Sequence, residues 1–173
     1  MEPTESAVKV VCDAGPIIHL DELECLSLLN DFQNILVPNS VCKEVNRHRP
    51  LALKRSELTL TYCDQQYPND ELLCTLCRIF SLDAGETEAL AVMERNPMAM
   101  FLTDDAAARL VAKQVGFNVH GTIGILVRAV RRGMMKPKQL VRILEEIPLK
   151  STLYIKSSLL EEIIHKIKNK FQL

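Results

Sequence analysis

Short apolar runs rich in β-branched residues alternate along this chain with longer segments whose apolar positions recur every three to four residues. The first kind of pattern predicts buried strands and the second predicts helices with one buried side. "VKVVC", residues 8–12, reads as a strand that ends at Asp13. Gly15-Pro16 is then expected to turn the chain. Ile17, Ile18, Leu20, Leu23, Leu26, Leu28 and Leu29 follow at helical spacing. "NILVP", residues 34–38, predicts a second strand, and residues 38–46 a short helix. Residues 46–57 read as a loop or broken helix, with Pro50 as the breaker.

"LTLTYC", residues 58–63, alternates and fits an edge strand, and residues 69–80 read as a helix. A stronger helix begins at Asp83. "MAMFLT", residues 98–103, predicts the next buried strand, and a helix is expected over 105–115. "FNVH", residues 117–120, predicts a last short strand. The helix from Thr122 should end near Gly133, a residue suited to closing a helix. Residues 137–146 and 157–169 read as two more helices. Strands that alternate with helices imply an α/β fold, with a parallel sheet covered on both faces. In such sheets sites form outside the carboxyl ends of the strands. Asp13 and the Asp104-Asp105 pair fall at two such ends.

The length of 173 residues suits one domain. We expect a single unit over 1–173, with 134–173 a basic helical C-terminal extension packed on it. A hydrophobic content of 47% argues against disorder. Aromatics are only 5%, so the core should be aliphatic, and platforms for stacking bases are scarce. The net charge of −1 hides an asymmetry: residues 1–127 carry 18 acids against 10 bases, and residues 128–173 carry 11 bases against 4 acids. A basic tail on an acidic body hints at a polyanionic partner, although a solvated helix face explains it too. The run from 128 to 144 contains no acid. It offers Arg128, Arg131, Arg132, Lys136 and Lys138 as contacts for a nucleic-acid backbone.

"MEPTESAVKV" lacks the basic start and apolar core of a signal peptide, and no apolar run reaches the ~18 residues that span a bilayer. A cytoplasmic protein is therefore expected, with no membrane partner and six reduced cysteines. Cys74-Thr-Leu-Cys77 has the spacing of half a metal site, but no second half follows it. Cys12 and Cys42 read as small core residues. The four histidines show no ligand or base spacing, and nothing resembles a nucleophilic triad.

The acids carry the chemistry. Asp13 suits a helix cap and a cation site equally well. Glu44 lies beside the apolar Val41 and Val45, and glutamate is rarely buried without a partner. Asp83-Ala-Gly-Glu86 has the form of a capping box, which gives Glu86 a structural role. Glu88 is two residues on and shares its side with Ala91 and Val92, so on spacing alone it is the better ligand candidate. Of Asp104 and Asp105, one can cap the next helix while the other stays free. Thr103 could orient either of them, and Arg109 is spaced to pair with Asp105. Carboxylates brought together repel and raise one another's pKa, so gathering four or more calls for a cation. A hard divalent ion that prefers oxygen, Mg²⁺ or Mn²⁺, fits such a set.

In their order and spacing, "VVCDAGPIIHL", "ILVPNSVCKEV", "LDAGETEALAVM" and "FLTDDAAARLVAKQVGFNVHGTIGILVRA" resemble a PIN-domain protein. The resemblance covers roughly residues 8–133, and the helical end to about residue 165 fits one compact prokaryotic subgroup. It implies a Rossmann-like three-layer α/β/α fold with a central, mainly parallel sheet, and a metal-dependent ribonuclease site. Carried over residue by residue, it assigns the first acid to Asp13 and the second to Glu44. The third falls on "GETEA", where both Glu86 and Glu88 remain open. The fourth falls on Asp105, with Asp104 beside it. Asp13, Glu44, Glu88 and Asp105 are the expected metal ligands, with Glu86 and Asp104 assisting. Many such proteins resemble VapC-type toxins, which cleave RNA and pair with a small antitoxin. The partners implied are therefore RNA, an antitoxin and a second copy in a homodimer. "HGTIG", residues 120–124, matches the subgroup as well, and is read here as a strand-to-helix turn. The competing expectations are a non-catalytic binding module, in which the acids are caps and salt bridges, and an aspartyl phosphotransferase. "DAGPI" lacks the second acid and the lysine that the latter needs.

Overall fold

The carboxyl ends of five parallel strands set the position of everything that follows. The structure is a computed structural model and describes residues 8–173, apart from the side chain of Arg55. Most of "MEPTESAVKV", the segment expected not to be a signal peptide, falls in residues 1–7, which lie outside the described residues. The strands are β1 (Lys9–Cys12), β2 (Asn34–Pro38), β3 (Leu60–Cys63), β4 (Met100–Leu102) and β5 (Asn118–His120). They lie in the order β3-β2-β1-β4-β5, and every pairing is parallel. The central strand β1 pairs Val11 with Leu36 of β2 and with Phe101 of β4.

Strand side chains alternate between faces, and each face carries its own core. On one face Val10, Cys12, Ile35, Val37 and Leu102 meet α1 (Ala14–Glu22), α2 (Asn39–His48), α7 (Thr122–Arg131) and α8 (Pro137–Lys150). On the other, Val11, Leu36 and Phe101 meet α4 (Glu71–Ile79), α5 (Ala84–Glu94) and α6 (Ala106–Gln114). The result is the parallel sheet covered on both faces that the alternating pattern implies, in the three-layer, Rossmann-like arrangement that the resemblance implies. The short α3 (Ala52–Arg55) lies in the segment expected to be broken, and α9 (Ser157–Phe171) packs on α8. The buried Leu140, Leu144, Ile147, Leu160 and Ile167 join the first core, so the basic helical end is continuous with the body.

Several boundaries differ from the sequence reading, and four of them have a local cause. Gly15-Pro16 does not turn the chain, because α1 starts at Ala14 directly after its cap Asp13. Pro16 is tolerated there since the first turn's N–H groups have no helical partner to lose. The periodicity expected through Leu29 breaks at Glu24, whose φ is 56°, and resumes as a 3₁₀ segment, Leu26–Asp31. Strand β4 is shorter than "MAMFLT", because Ala99 N–H donates to Asn96 O in a turn that leaves Met98 94% exposed. Helix α8 runs four residues past the expected end and through Pro148, held by the buried Leu144 and Ile147. Among the described residues, no helix is long and apolar enough to cross a membrane.

Candidate active site

Three helix N-termini converge on the carboxyl rim of the sheet, and each is capped by an aspartate. Asp13 ends β1 and caps α1, Asp83 caps α5, and Asp105 follows β4 and caps α6. The partial positive charge of each helix start favours an acid there. Caps and a site are thus the same residues, and the choice posed by the sequence is not exclusive.

Asp13 is only 6% exposed. Its Oδ1 accepts from Ala14 N–H at 2.8 Å, and its Oδ2 accepts from the Thr103 hydroxyl at 2.8 Å. The fully buried Thr103 also accepts from Asp105 N–H at 3.2 Å. Thr103 therefore fixes the Asp13 side chain and the backbone of Asp105 together. Asp105 spends Oδ1 on Ala108 N–H, 2.7 Å away. The expected Arg109–Asp105 pair does not form among the described residues. Arg109 reaches back instead and donates to Thr103 O at 2.9 Å, while Asp105 is turned to its cap.

Glu86 completes a capping box: it accepts from Asp83 N–H, and its own N–H donates to Asp83 Oδ1, both at 2.9 Å. That role does not remove it from the rim. Burial pushes its pKa up to about 8, and the charges of Asp83, Asp105 and Asp13 add to the shift, against the hydrogen bond from Asp83. Burial likewise raises Asp13 to about 7; Thr103 and Ala14 oppose this, and Asp83 and Glu44 reinforce it. Glu44, on α2, is raised by burial and by Asp83, with His48 and Arg47 holding it back. Asp83 and Glu44 come close together beside Gly85: a Cβ there would make ordinary contacts with both, 3.5 Å from Asp83 Oδ1 and 3.6 Å from Glu44 Oε2. Asp13, Glu44, Asp83, Glu86 and Asp105 thus form one electrostatically linked group.

Two expected residues are committed elsewhere. Glu88, favoured by helical spacing, turns both oxygens to Ser40, accepting from its N–H at 2.9 Å and its hydroxyl at 2.6 Å. It therefore caps the start of α2, and the 200° between positions 86 and 88 leaves Glu86, rather than Glu88, with the rim acids. Asp104 accepts from Thr122 N–H at 2.8 Å and from its hydroxyl at 2.6 Å, and meets His19 Nδ1 at 2.8 Å. Burial works to raise Asp104, but these contacts outweigh it and hold the carboxyl below its usual range. Asp104 caps α7 at the "HGTIG" turn, where a Cβ on Gly121 would lie 2.5 Å from Asp104 Oδ1.

Of the basic candidates, Arg128 and Arg132 both hold Asp31, at 2.7 and 3.0 Å, and Arg128 lies over the Phe32 ring. Arg131, Lys136 and Lys138 are exposed. Sequence reasoning gave Asp83 a cap alone and did not pick out His19, Ser40 or Thr122. The signal for Asp83 was present, since an acid at the N-cap of a helix bearing Glu86 must face whatever that helix start faces.

The rim can be tested against a hard divalent cation. Its donors are all carboxylate oxygens, with no thiol or imidazole among them. Burial first, and the neighbouring carboxylates after it, raise the pKa values of Asp13, Glu44 and Glu86. Among the described residues, no three Asp, Glu, His or Cys side chains converge as a ready-made coordination shell. An open arrangement of this kind suits an ion that takes few protein ligands and keeps water or phosphate oxygens for the rest. In donor type the residues suit a hard divalent cation.

A three-layer α/β protein with acids collected at the carboxyl ends of β1 and β4 is the class that fold and site define. The chain matches a family model described as a PIN domain (DUF3368) over residues 9–169, and it belongs to that family. The match includes the C-terminal helices as well as the sheet. A PIN domain is a nuclease-type module. No curated protein and no solved structure matches the chain.

Proposed function

We propose that this PIN domain is a metal-dependent endoribonuclease, with Asp13, Glu44, Glu86 and Asp105 as the residues that would hold Mg²⁺ or Mn²⁺. The observation that carries the reading is the linked group of acids, two of them with pKa values raised to about 7 and 8. When bound, the cation supplies positive charge to offset the carboxylates, polarises a phosphodiester and makes a water more acidic. Thr103 and the start of α1 keep Asp13 in a fixed orientation. Asp83 N–H does the same for Glu86. Asp104 and His19 act at a remove, by holding α7 against the end of β4.

Substrate binding falls to the exposed Arg131, Lys136 and Lys138, with Arg128 and Arg132 adding charge from their places beside Asp31. With few aromatics, that binding is led by phosphate and depends steeply on salt. A toxin role with a small antitoxin rests on the likeness to VapC-type proteins, and co-expression with a candidate antitoxin that silences the cleavage would test it.

A second reading has an observation of its own. Asp13, Asp83, Asp105, Glu88 and Asp104 all make capping bonds. A non-catalytic module, binding RNA or protein through its basic end, needs nothing more from them. Cleavage of a mixed-sequence single-stranded RNA separates the two readings. With Mn²⁺ or Mg²⁺ the wild type should cleave, and EDTA should stop it. Asp13→Asn and Glu86→Gln should each lose more than the roughly 10–100-fold typical of residues that only support a metal site. Cleavage by both variants equal to that of the wild type, or indifferent to EDTA, would sink the proposal.

A further inference from the structure

A cavity of about 460 Å³ opens between the β4–β5 edge of the sheet and α7. Met100, Ile125 and Val127 give it apolar walls, and His120, Arg128 and Arg131 bring polar groups to the same space. A volume of this order, with apolar walls and a few converging polar groups, is the usual form of a small-ligand site. The two arginines differ. Arg128 is held by Asp31 at 2.7 Å and lies over the Phe32 ring. Arg131, a turn further along α7, is exposed and can close on an anion.

His120 indicates the kind of anion. Gly124 lets its ring lie against the start of α7, where a Cβ would come within 3.0 Å of His120 Nδ1. Partial burial lowers its pKa, and Arg109, Arg128 and Arg131 lower it further. The ring is therefore neutral at pH 7, with one nitrogen to donate and one to accept. A bare phosphate gains nothing from such a group or from apolar walls. A nucleotide gains from both, since its base presents a flat face and an edge of donors and acceptors. The cavity also adjoins the acid rim. Thr103, whose hydroxyl holds Asp13, donates its N–H to His120 O at 2.9 Å. From there Gly124 to Arg131 is about 10 Å of helix axis, leading away from the rim.

We infer that this cavity is a subsite for one nucleotide, with the base among Met100, Ile125 and Val127, its edge on His120 and its phosphate on Arg131. The choice of a nucleotide over another anion rests on the nuclease reading. The cavity adds what the basic helical end lacks, because phosphate contacts position a strand without reading its bases. A nucleotide within an RNA strand and a free nucleotide present the same chemistry here.

Binding to the full chain in EDTA tests it. Neither metal nor cleavage is then involved, so failure here and failure of the nuclease proposal are read separately. The probes are 5′-AMP, GMP, CMP, UMP and inorganic phosphate, each followed by amide NMR spectra. At least one nucleotide should shift His120, Gly124 and Arg131 and leave Ala14 and Glu86 at the rim unmoved, with phosphate binding more weakly. Arg131→Glu should weaken the binding by roughly tenfold or more, as the loss of a charge-assisted hydrogen bond does. His120→Ala should erase the preference among the four bases. Both side chains are exposed, so both variants should keep the wild-type thermal melt. Gly124→Ala, which crowds the ring and keeps every charge, should alter the base preference as well. Anisotropy of a labelled single-stranded RNA then gives the source of the nucleotide. A matching loss in Arg131→Glu means a nucleotide of the strand, and unchanged RNA affinity beside lost mononucleotide binding means a free one. The inference is overturned if no nucleotide shifts these residues, or if phosphate binds as tightly as the nucleotides. Displacement of the nucleotide by an equal concentration of a polyglutamate peptide also overturns it, and would mark a surface for acidic protein.

Discussion

At the scale of single residues, capping and site chemistry overlap, and Glu86 and Glu88 show how they separate. Both sit in the first turns of α5, and both accept backbone N–H donors. Their partners differ in position: Glu86 stays with Asp83 among the rim acids, while Glu88 ties α5 to the start of α2 through Ser40. Glu88→Gln should therefore cost about 0.5–2 kcal/mol of stability, as the loss of a cap does, with RNA cleavage falling less than for Glu86→Gln. Thermal melts read beside cleavage rates would expose the opposite pattern. Thr103→Val removes the hydroxyl that fixes Asp13, and should lower metal affinity or activity by roughly 10–100-fold. An unchanged affinity for Mn²⁺ would show that Asp13 needs no such support.

At the scale of elements, much was legible because strands and helices differ in period and strand ends are marked by acids. The five apolar runs became the five strands, and the break marked by Pro50 and the helix start at Asp83 fell close to their observed places. What was not legible depends on tertiary contact. Nothing local says that Pro148 will stay helical, because the burial of Leu144 and Ile147 decides it. Nor does spacing say that Asp104 will turn toward Thr122 and His19, since α1 and α7 meet it only after folding. The sequence placed acids at strand ends correctly, yet it could not say which of two neighbours faces the rim. Asp83 was read as a cap for the same reason: the helix that shares its surroundings, α2, lies about forty residues earlier in the chain. At this scale Gly121→Ala should be a sensitive probe of the α7 junction. Its Cβ meets the clamped Asp104, so α7 must shift, and the melting temperature should fall.

At the scale of the whole molecule, the acid rim ties stability to pH. Asp13 is raised from 3.8 to about 7, so the folded protein holds a proton that the unfolded chain releases. The sign follows: that stabilisation is greatest at low pH, and falls as pH rises from about 4 to about 7, because folding takes up a proton throughout that range. With chelator present, this group should make the protein roughly 1–4 kcal/mol less stable at pH 8 than at pH 5. Asp13→Asn should remove its share of the slope and leave that of Glu86, whereas saturating Mn²⁺ should flatten the profile by replacing the protons of both. Melts across that pH range check this, and a profile that rises with pH in EDTA would contradict it.

The most direct test of the central claim, that these crowded carboxylates share a cation, is the proton count on metal binding. Mn²⁺ can be titrated into the protein at pH 7 by calorimetry, in buffers that differ in ionisation enthalpy. At that pH Asp13, with its pKa raised to about 7, is half protonated, and Glu86, raised to about 8, is mostly so. The account predicts release of about one proton or more per Mn²⁺ bound, with less released by Glu86→Gln and binding weakened in Asp13→Asn. Binding without proton release, or binding untouched by Asp13→Asn, would place the metal somewhere other than this rim.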